Sequence, residues 1–234
     1  ELWCNSNRLA LNSNKTENIK FSLNRNSCLI KKSIKFLGIH LESGLGWQTH
    51  VDSITSRISK GLFMLRVLKS NISIESLITV YYGHVHSHIN YGIIFWGNHA
   101  SSHRVFILQK RAIRIIYGVS NRTHCKPLFI KSGILTVPSM YVLACLLHVK
   151  QNVDNLPIVS SIHGHSTRNN SNVYISKCKY SSTQSSFQYM SIKLFNKLPN
   201  SITGLPILTF RRRIRTALLS APLYKVDEFF DIKW

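Results

Sequence analysis

Negative charge is scarce in this sequence: nine Asp and Glu stand against thirty Lys and Arg in 234 residues, a formal net charge of +21. The nine are also scattered, with none between Ser76 and Val153 and only Asp154 between there and Val226. Chemistry that needs converging carboxylates is therefore poorly supplied, whether metal-assisted phosphoryl or nucleotidyl transfer or the paired acids of glycoside hydrolysis. Asp227, Glu228 and Asp231 alone come close together, near the C-terminal end, where the sequence predicts a solvated, fraying tail. Long apolar runs are missing too, and nothing approaches the ~18 residues that span a bilayer, so no membrane partner is expected. The longest run, Tyr141 to Leu147, reads as a buried helix. The five cysteines (Cys4, Cys28, Cys125, Cys145, Cys178) are odd in number and lack Cys-x-x-Cys spacing. They fit free thiols in an intracellular compartment, nuclear or cytoplasmic, better than a disulfide framework. No glycine-rich phosphate loop and no Gly-x-Ser-x-Gly elbow occurs, and His124 and Cys125 are chain neighbours rather than a dyad.

What is present is a folding sequence with a strong basic bias. Hydrophobic residues make up 44% of the chain, which excludes a disordered polyelectrolyte. The positive charge is concentrated over residues 50–130 and 151–226. Such a surplus calls for a polyanion, because each Lys or Arg that neutralises a phosphate releases a condensed counterion.

Hydrophobic periodicity organises the chain. Ile19, Phe21 and Leu23 alternate with polar residues, Asn24 to Ser27 supply turn chemistry, and Ile34 to Leu41 form a second β-rich run, together predicting a hairpin. In the second run Ile34 and Phe36 face one way and Leu37, Ile39 and Leu41 the other, so that strand is expected to be covered on both faces, with Gly38 allowing close backbone approach. From Val51 the period becomes helical: Val51, Ile54, Ile58, Leu62, Leu65 and Leu68 form one stripe, with Arg57, Lys60, Arg66 and Lys69 on the remaining surface. A second helix from Ser73 is expected to bury Leu77, Ile78, Tyr81 and Val85. A third, His103 to Tyr117, is expected to bury Val105, Leu108, Ala112 and Ile115 or Ile116 and to carry Arg104, Lys110, Arg111 and Arg114. Pro138 opens a mostly apolar helix through Val149. A last helix, Leu208 to Leu219, pairs Phe210, Ile214 and Leu218 with Arg211, Arg212, Arg213 and Arg215. Between these two, residues 160–186 are rich in Ser, Asn and Thr and read as loops with at most a short strand. The fold class is thus α+β, mainly α.

The histidines His84, His86 and His88 invite a metal reading, since His84 and His88 are spaced i, i+4. No acid accompanies them and no third ligand is evident, so they are read as surface or interface histidines, and no metal site is assigned.

The most specific signal is a series of motifs in order. It runs Trp3, Asn7, Leu9, Leu11, Asn12, Lys15 and Thr16; then Ile34-Lys35-Phe36-Leu37-Gly38-Ile39 with Leu45, Trp47 and His50; then Tyr91-x-Ile93-Ile94-Phe95-Trp96-Gly97. Gln109-Lys110-Arg111-Ala112-Ile113-Arg114 follows, and finally Leu194-Phe195-Asn196-x-Leu198-Pro199 with Phe210 downstream. This series resembles the reverse transcriptases of non-LTR, LINE-type retrotransposons, the jockey-like group in particular, and covers nearly the whole chain.

The resemblance implies an RNA-directed DNA polymerase, a nucleotidyltransferase, of which this chain is the C-terminal part. Residues 1–49 would end the palm with a primer-grip-like hairpin at Phe36, Leu37 and Gly38. Residues 50–130 would form a helical thumb, and residues 131–234 a mostly helical basic extension. Lys15 would match the palm lysine that is a candidate proton donor to pyrophosphate. The same position also suits a turn-stabilising surface lysine. The catalytic Tyr-x-Asp-Asp box of the family precedes the region matching Trp3, so the chain alone is expected to be inactive and to bind no cofactor, Mg²⁺ belonging to the complete polymerase. Expected partners are RNA and DNA as a template–primer duplex, together with the remaining palm and fingers. Arg57, Lys60, Arg66, Lys69, Arg104, Lys110, Arg111, Arg114, Arg211, Arg212 and Arg213 are the candidate phosphate contacts. An independent basic nucleic-acid-binding module, or an inactive interaction remnant, would account for the charge but not for the motif series.

Overall fold

The run Ile34 to Leu41, expected to be one strand, instead folds back on itself. Strands β1 (Ser33–Phe36) and β2 (Ile39–Glu42) pair antiparallel, with Ser33 opposite Glu42 and Phe36 opposite Ile39. Leu37 and Gly38 connect them with φ of 47° and 84°. Two successive positive φ values are what a two-residue hairpin connection requires, because that backbone twist matches the twist of the strands. Gly38 thus takes the left-handed conformation that the turn needs. The partner strand expected at Ile19 to Leu23 is not formed by Ile19 and Phe21, which lie in irregular chain, while Leu23 and the turn at Asn24 to Ser27 fall outside the described residues. Among the described residues β1 and β2 have one strand neighbour each, and Phe36 and Leu37 are 59% and 74% exposed rather than covered on both faces.

The structure, a computed structural model, describes residues 2–12, 14–21, 33–162 and 170–234. Two units separate, Glu1–Ser53 and Ile54–Trp234. The first holds helix α1 (Leu2–Ser6), the hairpin and the opening of helix α2 (Gln48–Leu68). The Glu42 carboxylate accepts the Thr49 N–H, and the His40 N–H donates to His50 Nδ1 at 3.4 Å, which ties β2 to the start of that helix.

The second unit is helical. From Ile54 onward, α2 buries Ile54, Ile58, Leu62 and Leu65. Helix α3 (Ile74–Tyr81) is capped by Ser73, whose Oγ accepts the Ser76 N–H at 3.2 Å, and runs into a π-helical turn, Tyr82–His86, then α4 (Ser87–Asn90) and α5 (Ile93–Trp96). Gly61 lets α2 lie against that turn: a β-carbon there would stand 2.8 Å from the His84 carbonyl oxygen and 2.9 Å from Val85 Cγ2. Next come α6 (Ser102–Tyr117), α7 (Lys126–Ser132) and α8 (Val137–Asn152). After a 3₁₀ turn follow α9 (Val159–Ile162), α10 (Ser181–Gln184), α11 (Phe187–Phe195), α12 (Asn200–Thr203) and α13 (Ile207–Ser220).

Helix α8 is the centre of the core. It is apolar around most of its circumference, as a helix surrounded by others must be, and packs on α5, α6, α11 and α13. Residues 54–234 form one compact unit, in which α8 completes the core that α5 and α6 begin. Gln109 on α6 is fully buried at this junction, donating to Tyr81 Oη and the Leu135 carbonyl and accepting the Val137 N–H, each at 2.9 Å.

The acidic C-terminal segment is anchored, not fraying. The Thr136 hydroxyl donates to the Leu223 carbonyl at 2.6 Å, and the Leu223 N–H donates to Ser139 Oγ at 3.2 Å. A 3₁₀ turn at Asp227–Asp231 then buries Phe229, while the Glu228 carboxylate accepts the Tyr224 N–H at 3.1 Å and lies 3.8 Å from Lys126 Nζ. Leu223 and Phe229 supply the apolar anchors that charge counting overlooked. Among the described residues no single helix is long and apolar enough to cross a membrane.

His86, in the π-turn, packs its ring against Tyr82 and Tyr81, with centroids 4.9 and 6.0 Å away. Its Nδ1 is buried with no hydrogen-bond partner among the described residues. Burial, reinforced by the positive charge of Arg215, pushes its pKa down from 6.5 to about 4. A base whose pKa is lowered on folding stabilises the fold while it is neutral. The contribution is present above pH 6.5 and is lost as pH falls through the interval down to about 4. Urea midpoints measured across that interval should fall less steeply for His86→Leu than for the parent chain. Parallel profiles would place the acid sensitivity elsewhere.

Candidate nucleic-acid interface

The basic residues of α2 sit on two different flanks. Arg57 and Arg66 are nine residues apart, about half a turn out of phase at 3.6 residues per turn, so they lie on opposite sides of the buried stripe. Arg57 belongs to the flank that meets the histidine-bearing turn: burial, then the charges of Arg57 and His84, lower the pKa of His88. Arg66 belongs to the flank that meets α6.

There the structure forms an open cleft of about 490 Å³ lined by Arg66, Ile107, Arg111, Arg114, Ile115 and Asn121. Three arginines from two helices line it, and among the described residues no carboxylate does. The Arg114 Nε–H donates to the Thr123 carbonyl at 2.9 Å, which fixes the plane of that guanidinium and ties the loop after α6 to the helix. Lys69 lies at the C-terminal end of α6. Its Nζ would be 3.0 Å from a β-carbon at Gly118, the left-handed C-cap of α6 with φ of 66°, so the ammonium rests over the negative end of that helix. Two isoleucines give the cleft apolar walls, against which sugar rings or aliphatic stems can pack. Three cations, one of them held by a hydrogen bond, apolar walls and no carboxylate among the described lining residues suit the arrangement to phosphate oxygens.

Other predicted contacts are elsewhere. Lys110, on α6, has its Nζ 4.7 Å from the centroid of Phe106 and 5.4 Å from that of Tyr224, and Lys126 reaches the same tyrosine at 5.1 Å. Lys110 is thus engaged in holding the C-terminal segment and does not line the cleft. Arg104 is exposed on the first turn of α6, and Lys60 is exposed on α2. Arg211, Arg212 and Arg213 are exposed on α13, opposite the buried Phe210, Ile214 and Leu218.

In the first unit, Asn12 Oδ1 accepts the N–H groups of Asn14 and Lys15 at 3.1 and 3.2 Å, and Thr16 Oγ1 donates to the Asn12 carbonyl at 3.0 Å. Lys15 is therefore an exposed residue of an Asx turn. Phe36, Leu37 and Gly38 are the hairpin tip.

Several motif residues prove to be packing elements. Trp96 is buried, its indole N–H donating to the Tyr91 carbonyl at 3.2 Å. Asn196 clasps both backbone groups of Val173, accepting its N–H at 3.0 Å and donating to its carbonyl at 2.7 Å. Sequence reasoning missed Asn121 and Ile107 as cleft residues. Asn121 lies in a short loop with no pattern of its own, while Ile107 borders the buried stripe of α6.

Among the described residues no three His, Cys, Asp or Glu side chains come together in a group that could hold a metal ion. Comparison with known protein families, with curated proteins and with solved structures finds no match.

Proposed function

We propose that this chain is the C-terminal, non-catalytic part of a non-LTR retrotransposon-type reverse transcriptase, whose thumb-like helices α2, α3 and α6 bind the template–primer duplex through its phosphates. The observation that carries the binding part is the carboxylate-free cleft in which Arg66, Arg111 and Arg114 converge. The ordered motif series supports the polymerase part. The exposed hairpin tip supports a grip-like role for Phe36 and Leu37. A second reading, an independent basic module, is favoured by the packing roles of Trp96 and Asn196, which any folded domain could require.

A recessed RNA–DNA duplex and its separate strands, titrated against the folded chain over a salt series, tell the two apart. Polymerase descent predicts tighter, strongly salt-dependent binding to the recessed duplex. Equal affinity for all these polyanions would leave the independent module, and no binding to any would remove both.

A further inference from the structure

We propose that a second cleft, between the end of α8 and the start of α11, receives one unpaired base of a single-stranded nucleic acid. This rests on the reading of the partner as nucleic acid and adds a site for a different part of it. The cleft has a volume of about 370 Å³. That is at the small end of the roughly 300–1,000 Å³ typical of ligand sites and suits a ring-sized group better than a helix or a duplex. Rings are what line it: His148 from α8, Tyr174 from the irregular segment before α10, and Phe187 and Tyr189 from α11. His148 and Phe187 meet edge to face with centroids 4.8 Å apart.

The walls are held in place before any ligand arrives. The Tyr174 N–H donates to the Pro157 carbonyl at 2.8 Å, the Asn196 clasp fixes Val173, and Gln184 Nε2 donates to the Cys178 carbonyl at 2.9 Å. At the mouth Thr183 and Gln188 are exposed, a hydroxyl and an amide able to meet either donors or acceptors on a base edge.

Charge selects the partner. Among the described residues no acid lines the cleft, and Lys177 and Lys179, both exposed, flank Cys178 on its wall. An apolar, aromatic cavity with cations beside it rejects a phosphate inside but accepts a base whose own phosphates lie outside on the lysines. Stacking of this kind tolerates any base, since each presents a π-face.

The test uses the full chain and a short single strand carrying 2-aminopurine at its centre, beside the same strand with an abasic site there. Binding should quench the 2-aminopurine, and the abasic strand should bind roughly 5- to 150-fold more weakly, the range that one stacked base provides. Phe187→Ala should abolish both the quench and the discrimination. The exposed changes His148→Ala and Gln188→Ala should each reduce them without touching the core, which keeps the outcome readable if Phe187→Ala fails to fold. Equal affinity for the two strands without quenching, while the recessed duplex still binds, overturns the cleft and leaves the arginine site standing. Failure of every nucleic acid to bind overturns both.

Discussion

Replacing Arg66 and Arg111 by glutamine should lower duplex affinity about 60-fold at 0.1 M salt and reduce the log–log salt slope by about 1.8, the effect of two lost phosphate contacts at ~0.9 each. The two residues are chosen because both are exposed and both line the cleft, so their removal changes charge without disturbing the core. Arg114 is left in place, since its bond to the Thr123 carbonyl also holds the loop that brings Asn121 to the site. The loss should be uniform across duplex sequences, because phosphate contacts carry no base information. Lys110→Met is the matching control. It removes one positive charge from the same helix, but the side chain it replaces lies over Phe106 and Tyr224. The methionine stem keeps that packing, so the expected cost is about 0.5–1 kcal/mol of stability from the lost cation–π contact, with the salt slope unchanged. If the double variant and Lys110→Met alter the slope alike, binding follows net charge and the cleft has no special part in it.

Gln109→Leu should lower the melting temperature by roughly 6–20 °C, from a destabilisation of about 3–5 kcal/mol at ~2–4 °C per kcal/mol for a unit of this size. Gln109 accepts the Val137 N–H, a buried donor in the first turn of α8 that the helix itself cannot satisfy, and it also bridges Tyr81 on α3 to the chain at Leu135. Leucine matches its volume and answers none of these groups, leaving three buried polar atoms without their partner. The Tyr81 hydroxyl cannot escape by ionising, because burial holds its pKa well above the ordinary tyrosine value. Tyr81→Phe removes one partner only and should cost about 1 kcal/mol. In the double variant the combined cost should be smaller than the sum, as expected for groups in one network. Strict additivity, read by thermal or urea denaturation, would show that the network is not coupled.

Much of the fold was legible because amphipathic helices declare themselves. The stripes on α2, α6 and α13 follow the 3.6-residue period, Ser73 marks the start of α3, and the apolar run at Tyr141 is the middle of the buried α8. The hairpin was placed wrongly because Leu37-Gly38 is not a turn dipeptide by composition, while Asn24 to Ser27 is. Only the positive φ of both residues, imposed by pairing β1 with β2, reveals the turn. Gln109 was unreadable for a related reason. A glutamine beside Lys110 and Arg111 resembles a surface residue until the helices that bring Tyr81, Leu135 and Val137 to it are in place.

The candidate site divides in the same way. By itself the sequence determined the sign of the charge, its concentration in two blocks, the scarcity of acids and the helices that carry the arginines. Helical phase also put Arg57 and Arg66 on opposite flanks of α2. Which flank faces another basic helix was decided by tertiary packing. The buried stripe of α2 sets Arg66 beside Arg111 and Arg114, whereas Lys110, one residue from Arg111 but about 100° around α6, is turned toward the rings of Phe106 and Tyr224. Neighbours in sequence become a cleft-lining arginine and a structural clamp because a helix distributes adjacent side chains over different faces, and only the packing of the other helices assigns those faces their partners.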